Sequence, residues 1–266
     1  MSTLALPPFT FAVIGDSAAF GTGELDEYGN PRGWAWHLAQ NFRDEGRYIN
    51  RSRPGAQSAE VLNVQLPQVI ETEPDICAVV AGGNDLLRNG FDPAQLYANL
   101  KETCHRLKLS GSEVVMFELH DPNQLLRLPR LLKRVLRRRV DSVNAVYRRL
   151  ENELDIILIR TREIEDVHNI RNWHIDRMHP GPRGHQILAR EIAEVLRRRG
   201  WNLHLPEVSE IVIRKNRENW IWLVRNGLPW FLKRSVDLLP AALILMTIES
   251  IRVFAECISR LHSRNS

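Results

Sequence analysis

The apolar residues of the first 200 positions follow two alternating periodicities, which predict strands separated by helices. Short apolar runs rich in β-branched residues, typical of buried parallel strands, occur over 9–14, 48–49, 75–81, 113–119 and 155–159. An apolar stripe at helical spacing follows each run, over about 34–42, 61–70, 93–109, 128–153 and 181–199. Five strands that alternate with helices predict an open, mostly parallel α/β sheet.

Two proline positions mark helix boundaries. Asp92 followed by Pro93 is typical of a helix start, because the carboxylate caps the helix and proline suits its first turn. Pro67 lies inside the stripe over 61–70 and predicts a bend or a restart of that helix.

The alternation ends near residue 206, and the remaining residues have another pattern. Residues 207–266 hold three of the seven tryptophans and the apolar run 238–248, which is about half the roughly 20 residues that a membrane-spanning helix needs. We therefore expect one domain over 1–206 and a Trp-rich helical C-terminal extension over 207–266. Packing on the domain as a cap or lid, or a homodimer through these helices, is favoured over contact with a membrane surface.

Composition narrows the classes of protein that fit. The chain has 266 residues, of which 44% are hydrophobic and 26% charged, as in a globular protein that buries a core. Its start lacks the basic region and long apolar run of a secretory signal, so we expect a cytoplasmic protein. The three widely spaced cysteines form no zinc or disulfide pattern, and no phosphate-binding or dinucleotide motif occurs. We therefore expect no metal and no cofactor.

The net charge of +4 is modest, and much of the cationic charge is arginine within 127–149. Such a helix can hold phosphates or acidic partners. No interleaved aromatic residues or nucleic-acid motif accompany it, so we interpret it as a solvated helix face and expect no nucleic-acid partner.

Polar and glycine-rich segments follow the predicted strands, where the ligand crevice of a parallel sheet opens. Ser17 lies in the turn directly after the first strand, within the segment 15–21. Gly55 follows the second strand, where the absence of a side chain lets a backbone N–H approach a ligand. Asn84 follows the third strand after two glycines and can present an amide donor. Each segment alone is typical of an ordinary turn, but together they supply a nucleophile and anion donors.

A further segment, before the last predicted helix, supplies a base. Asp176 and His179 are three residues apart, a spacing that lets the carboxylate orient the imidazole across one turn.

Together these segments resemble four sequence blocks of the SGNH hydrolases, also called GDSL-type esterases and lipases. The resemblance rests on Gly-Asp-Ser with Gly21 four residues after the serine, on Gly55, on Gly-Gly-Asn-Asp at 82–85, and on Asp-x-x-His at 176–179. Ala18 stands where the family motif has leucine. The resemblance covers about 9–199 and implies a flavodoxin-like three-layer α/β/α sandwich and the hydrolysis of an ester or related acyl bond.

The same resemblance implies a role for each residue. Ser17 is the expected nucleophile, His179 the base and Asp176 the supporting acid. The oxyanion donors are then the N–H groups of Ser17 and Gly55 and the side chain of Asn84. The expected substrate is a small-molecule or lipid-like acyl ester. A thioesterase or carbohydrate deacetylase with the same triad stays open, as does a non-catalytic scaffold that uses the basic helix and the apolar tail.

Aromatic residues and other histidines near the predicted crevice are secondary candidates. Phe20, Trp34 and Trp173 are candidates for an acyl pocket, although Trp34 fits the core face of its helix equally well. His174 is a weaker rival base, and we expect His120 and His185 to be supporting or structural residues.

Overall fold

The computed structural model describes residues 9–43, 46–126 and 128–210, together with Thr247. Its strands are β1 Phe9–Gly15, β2 Gly46–Asn50, β3 Ile76–Val80, β4 Glu113–Phe117 and β5 Ile157–Ile159. They form one sheet in the order β2-β1-β3-β4-β5, and all four pairings are parallel. This is the flavodoxin-like strand order, so the predicted parallel α/β sheet is confirmed.

The α-helices of the described residues are α1 Ser17–Phe20, α2 Trp34–Ala39, α3 Ser58–Glu60, α4 Leu66–Ile70, α5 Gly83–Leu86, α6 Pro93–Leu109, α7 Arg130–Leu154 and α8 Pro182–Arg198. The side chain of Asp92 caps α6 by accepting a hydrogen bond from Ala94, as predicted. A π-helical turn over Val61–Gln65 separates α3 from α4, and Pro67 lies in the first turn of α4. The chain stays helical over 58–70, so the irregularity predicted near Pro67 takes the form of a π-helical turn directly before α4 rather than a restart.

The core consists of two apolar layers, one on each face of the sheet. Alternate residues of a strand point to opposite faces, so Ala12 packs toward α4, α6 and α7 while Phe11 packs toward α2 and α8. Both side chains are almost fully buried, and burial of a large apolar side chain stabilises a fold by about 1.5–3 kcal/mol. The predicted three-layer α/β/α architecture is confirmed.

The helix predicted over 34–42 is shorter than its apolar stripe. It ends at Ala39, and the backbone of Phe42 instead pairs with Leu203. The ring of Phe42 packs on Phe9 and Phe11, with centroid distances of 4.6 and 5.7 Å. Phe42 therefore joins the core from outside the helix, through aromatic packing on the first residues of β1.

Of the predicted C-terminal extension, the structure describes only 207–210 and Thr247. The three tryptophans Trp220, Trp222 and Trp230 and the apolar run 238–248 lie outside the described residues. The extension thus stays a prediction. Within the described parts of the chain, every helix is too short or too polar to cross a bilayer.

Candidate active site

Ser17 begins α1 directly beyond the carboxyl end of β1. The chain reaches it through Gly15, whose φ is +148° and where an added Cβ would lie 2.2 Å from the carbonyl oxygen of Val80. A side chain is excluded there, because β1 and β3 approach too closely. The carboxylate of Asp16 then caps α1 by accepting a hydrogen bond from the N–H of Ala18 at 2.9 Å. Ser17 is thereby held at the edge of the sheet where the crevice opens.

A buried amide also holds this turn. The side chain of Gln65 accepts a hydrogen bond from the N–H of Gly15 at 2.6 Å and donates one to its carbonyl at 3.0 Å. Gln65 is 1% exposed. No motif in the sequence marks this residue, which lies within an apolar stripe.

Asp16 is buried beside the serine, and burial raises its pKa to about 6. The hydrogen bond from Ala18 and the charge of His179 lower the pKa and only partly offset burial. The carboxyl group of Asp16 is therefore partly protonated near pH 6.

His179 reaches Ser17 from the loop before α8. Its Nε2 atom lies 2.7 Å from Oγ of Ser17, and its Nδ1 atom lies 2.9 Å from Oδ2 of Asp176. If Nδ1 carries the proton that the carboxylate accepts, Nε2 is free to accept the serine proton. This arrangement can activate the hydroxyl as a nucleophile.

Asp176 is held by four contacts. Its Oδ1 atom accepts hydrogen bonds from the N–H groups of Met178 and His179 at 2.9 and 3.1 Å. Its Oδ2 atom lies 2.9 Å from Nδ1 of His179 and 3.1 Å from Nδ1 of His174. Burial alone would raise the pKa of Asp176, but the hydrogen bonds from His174 and His179 hold it well below its usual value. The carboxyl group is therefore ionised at neutral pH.

The structure places Asn84 and the Gly55 loop beside each other. Gly55 has a φ of +88°, and the next residue, Ala56, accepts a hydrogen bond from Nδ2 of Asn84 at 3.0 Å. An amide nitrogen carries two hydrogens, so the second N–H of Asn84 is left for a ligand. Asn84 lines the same cavity as Ser17 and His179.

Asp85 joins the two loops. Its carboxylate accepts a hydrogen bond from Oγ of Ser58 at 2.5 Å and from the N–H of Ser58 at 3.1 Å. The amide of Asn99 in α6 donates to the same serine oxygen at 3.0 Å. No spacing in the sequence indicates a link among these three residues, although Asp85 completes the Gly-Gly-Asn-Asp segment.

A cavity of about 210 Å³ opens at Ser17. Most of its wall away from the triad is apolar and comes from β4, from the loop before α8 and from α8 itself. The main apolar residues of the wall are Trp34, Phe117, Ile164, Trp173, Ile187 and Leu188. Polar wall residues such as Tyr147 and Thr161 direct their hydroxyl groups to backbone carbonyls. The cavity is thus suited to an apolar group.

The three aromatic candidates differ in position. Trp34 and Trp173 line the cavity, whereas Phe20 ends α1 and does not belong to the lining residues that the structure describes. Trp34 is 2% exposed, packs on Phe117 at a centroid distance of 4.7 Å, and donates from Nε1 to the carbonyl of Ala18. It therefore belongs both to the core and to the cavity wall.

The other histidines occupy distinct positions around the cavity. His120 lines the cavity and packs on Trp173, and burial lowers its pKa to about 4. His185 is fully buried in α8, where Nδ1 lies 3.2 Å from the N–H of Trp34 and Nε2 lies 3.1 Å from the carbonyl of Thr22. Burial lowers its pKa to about 3, so His185 is a neutral support for Trp34.

Residues 9–43, 46–126 and 128–210 contain no group of three or more histidine, cysteine or acidic side chains that could hold a metal ion.

The sequence of this chain is similar to those of known esterases and acylhydrolases. A model of the GDSL-like lipase/acylhydrolase family matches residues 13–187, which is more than half of the chain. The chain is 35% identical over 117 residues to the esterase TesA of Pseudomonas aeruginosa, a match that covers 42% of this chain and 55% of the esterase. The chain therefore spans about half the length of that relative. It is also 28% identical over 189 residues to an arylesterase of Vibrio mimicus, with 69% of this chain and 86% of the arylesterase covered.

Solved structures show a similar fold. A crystal structure of TesA has a TM-score of 0.56 and 25% identity, and the match covers 71% of this chain and 98% of that one. The acetylxylan esterase Axe2 of Geobacillus stearothermophilus has a TM-score of 0.56 and 19% identity, with 70% and 93% covered.

Proposed function

The chain belongs to the GDSL-like lipase/acylhydrolase family, and we propose that it is a serine hydrolase that cleaves carboxylic esters. The observation that carries the proposal is the contact series from Oγ of Ser17 through His179 to Asp176, with distances of 2.7 and 2.9 Å. Ser17 and His179 line a cavity that is large enough for an acyl group.

The first half of the reaction is acyl transfer to the serine. Oγ of Ser17 attacks the carbonyl carbon of the ester while Nε2 of His179 takes the hydroxyl proton. The tetrahedral intermediate then breaks its bond to the alkoxy oxygen, and His179 donates the proton to the departing alcohol. Asp176 keeps its negative charge throughout and stabilises the imidazolium.

The second half regenerates the serine. Water attacks the acyl-enzyme, His179 takes a proton from that water, and the acid product leaves when His179 returns the proton to Oγ of Ser17. In both halves the carbonyl oxygen becomes negative and needs donors around it. We assign this role to the N–H groups of Ser17 and Gly55 and to the amide of Asn84. The N–H of Ser17 suits the role because the first N–H groups of a helix have no intrahelical acceptor.

The acyl group is best placed in the apolar part of the cavity. Trp34, Phe117 and Ile187 line it, and burial of an acyl chain against them contributes about 0.8 kcal/mol per CH₂ group. This arrangement favours a small-molecule or lipid-like acyl ester as substrate. The alcohol leaves toward solvent past Met178, which is 36% exposed beside the catalytic histidine.

The test is hydrolysis of p-nitrophenyl acyl esters by the full chain and by two serine variants. Ser17→Ala removes the nucleophile and should lower kcat by a factor on the order of 10⁶. Ser142→Ala is the matched control, because Ser142 bonds a backbone carbonyl on the surface of α7, and it should keep wild-type activity. Equal activity of Ser17→Ala and the wild type would exclude the proposed mechanism.

A further inference from the structure

Two imidazole groups contact a single oxygen of Asp176. Oδ2 lies 2.9 Å from Nδ1 of His179 and 3.1 Å from Nδ1 of His174, and only the first of these rings reaches Ser17. The two backbone N–H groups on Oδ1 complete the set. Three hydrogen bonds and the close contact with His174 therefore surround the carboxylate of Asp176.

His174 is built into the catalytic loop rather than attached to its surface. Its side chain is 8% exposed, its N–H donates to the carbonyl of His179 at 2.8 Å, and its own carbonyl accepts from Arg177 at 2.9 Å. The neighbouring residue, Trp173, forms an antiparallel backbone bridge with Pro180, so the two ends of this loop are paired with each other. These bonds hold the backbone of His174 in the loop, with Nδ1 of its ring 3.1 Å from the carboxylate.

We propose that His174 is a positioning residue that holds Asp176 in the orientation His179 needs and shares the negative charge of Oδ2. This inference rests on the proposed function, because it assigns His174 a part in the same triad. His174 acts through Asp176 and does not serve as a second base, because its Nδ1 atom lies 3.1 Å from the carboxylate and the serine hydroxyl is already in contact with His179.

The sharing of one oxygen has a consequence for pH dependence. With His174 beside Oδ2, the charge of Asp176 is shared between two rings, and without it the full charge acts on the imidazolium that forms during the reaction. Stabilising that cation favours the form of the site that lacks a free base. The acidic limb of the kcat/KM profile should therefore move to higher pH when His174 cannot donate.

Other titratable groups lie near this loop and are the same in each variant. Asp16 at the end of β1 interacts with His179, and His185 in α8 interacts with His174 and His179. Asp85 in α5 lies near Asp16, and His37 in α2 lies near His185. Burial lowers the pKa of His185 to about 3, so it is neutral over the range of the profile. Arg177 lies in the loop itself, and its guanidinium contacts the carbonyl of Leu125 at 3.4 Å.

The decisive experiment compares two isosteric replacements in the full chain. His174→Asn places an amide N–H where the Nδ1 atom of histidine lies, whereas His174→Leu places a methyl group there. The measurements are kcat and KM for a p-nitrophenyl ester between about pH 5 and pH 9, the melting temperature of each variant, and labelling by a fluorophosphonate probe.

We expect His174→Leu to lower kcat by about tenfold with little change in KM, because loss of a hydrogen bond to a charged group raises the barrier. The acidic limb should move to higher pH in His174→Leu and return toward the wild-type position in His174→Asn. Two results would overturn the inference: a folded His174→Leu variant with the wild-type profile, or equal losses in both variants with no shift of the limb.

Labelling separates this inference from the proposed function. A wild-type protein that is labelled at Ser17, together with an unchanged His174→Leu profile, rejects the role of His174 alone. A folded wild-type protein that is not labelled rejects the serine mechanism and the role of His174 with it.

Discussion

The imidazole Nε2 atom of His179 lies 2.7 Å from the hydroxyl oxygen of Ser17, although 162 residues separate them in the chain. The parallel sheet produces this contact. It places the carboxyl end of β1 and the loop that follows β5 at the same edge, and each carries one of the two side chains.

The first prediction concerns Asn84. Asn84→Ala removes an amide that lies in the cavity wall and should lower kcat by about 10²–10³ with a small change in KM, because the donor acts mainly on the negatively charged intermediate. Steady-state kinetics with a p-nitrophenyl ester measures this. Asn63→Ala is the matched control, since Asn63 is exposed and also donates to a backbone carbonyl. A rise in KM with unchanged kcat would argue against an oxyanion role.

The second prediction concerns the link between the Gly55 and Asn84 loops. Ser58→Ala removes the hydroxyl that bonds Asp85 and accepts from Asn99. We expect the free energy of unfolding to fall by about 1–3 kcal/mol, because buried partners lose their hydrogen bonds. We also expect kcat to fall by about tenfold, since small displacements of catalytic groups are costly. Urea unfolding and kinetics test both, and unchanged kcat in a destabilised variant would show that the link is structural only.

The third prediction concerns the buried carboxyl group of Asp16. Burial raises its pKa from 3.8 to about 6, so the folded protein binds the proton more tightly than the unfolded chain. The resulting stabilisation is complete below about pH 4 and is lost as the pH rises through about 6. Asp16→Asn keeps a capping oxygen but does not titrate.

The stability of Asp16→Asn relative to the wild type should therefore rise by on the order of 2–3 kcal/mol between about pH 4 and pH 7. Urea unfolding at several pH values measures the difference. If the difference is constant, or if it grows toward acid pH, Asp16 does not titrate as described.

The sequence predicted those features that depend on periodicity or on local chemistry. The apolar runs of β1, β3, β4 and β5 were recognisable because they are largely buried, whereas the edge strand β2 was marked only by the short run over 48–49. The start of α6 was recognisable from Asp92 and Pro93. The four-residue helices α1 and α5 were not predicted, since one turn is too short for an apolar stripe.

The supporting contacts of the candidate site were harder to predict. Gln65 reaches Gly15 across 50 positions, and Ser58 reaches Asp85 across 27. Such pairs depend on how loops from different strands meet, and no local spacing in the sequence encodes them. His174 illustrates the same limit: its position two residues before Asp176 suggested a rival base, whereas the structure places its ring against the carboxylate.

The fourth prediction concerns the acyl pocket. Ile187→Phe adds volume to the apolar wall and should lower kcat/KM for p-nitrophenyl esters with longer acyl chains much more than for the acetate. Ile187→Leu conserves volume and serves as the control. The ratio of kcat/KM values along a series of chain lengths reports the effect. Equal losses for short and long chains would place the acyl group elsewhere.

The central claim is that Ser17 is a nucleophile activated by His179, and reaction with a fluorophosphonate probe followed by peptide mapping tests it most directly. We predict a single adduct on the peptide that contains Ser17, no adduct in Ser17→Ala, and a greatly slowed reaction in His179→Ala. An adduct on another residue, or a folded protein that hydrolyses esters without reacting at Ser17, would contradict the account.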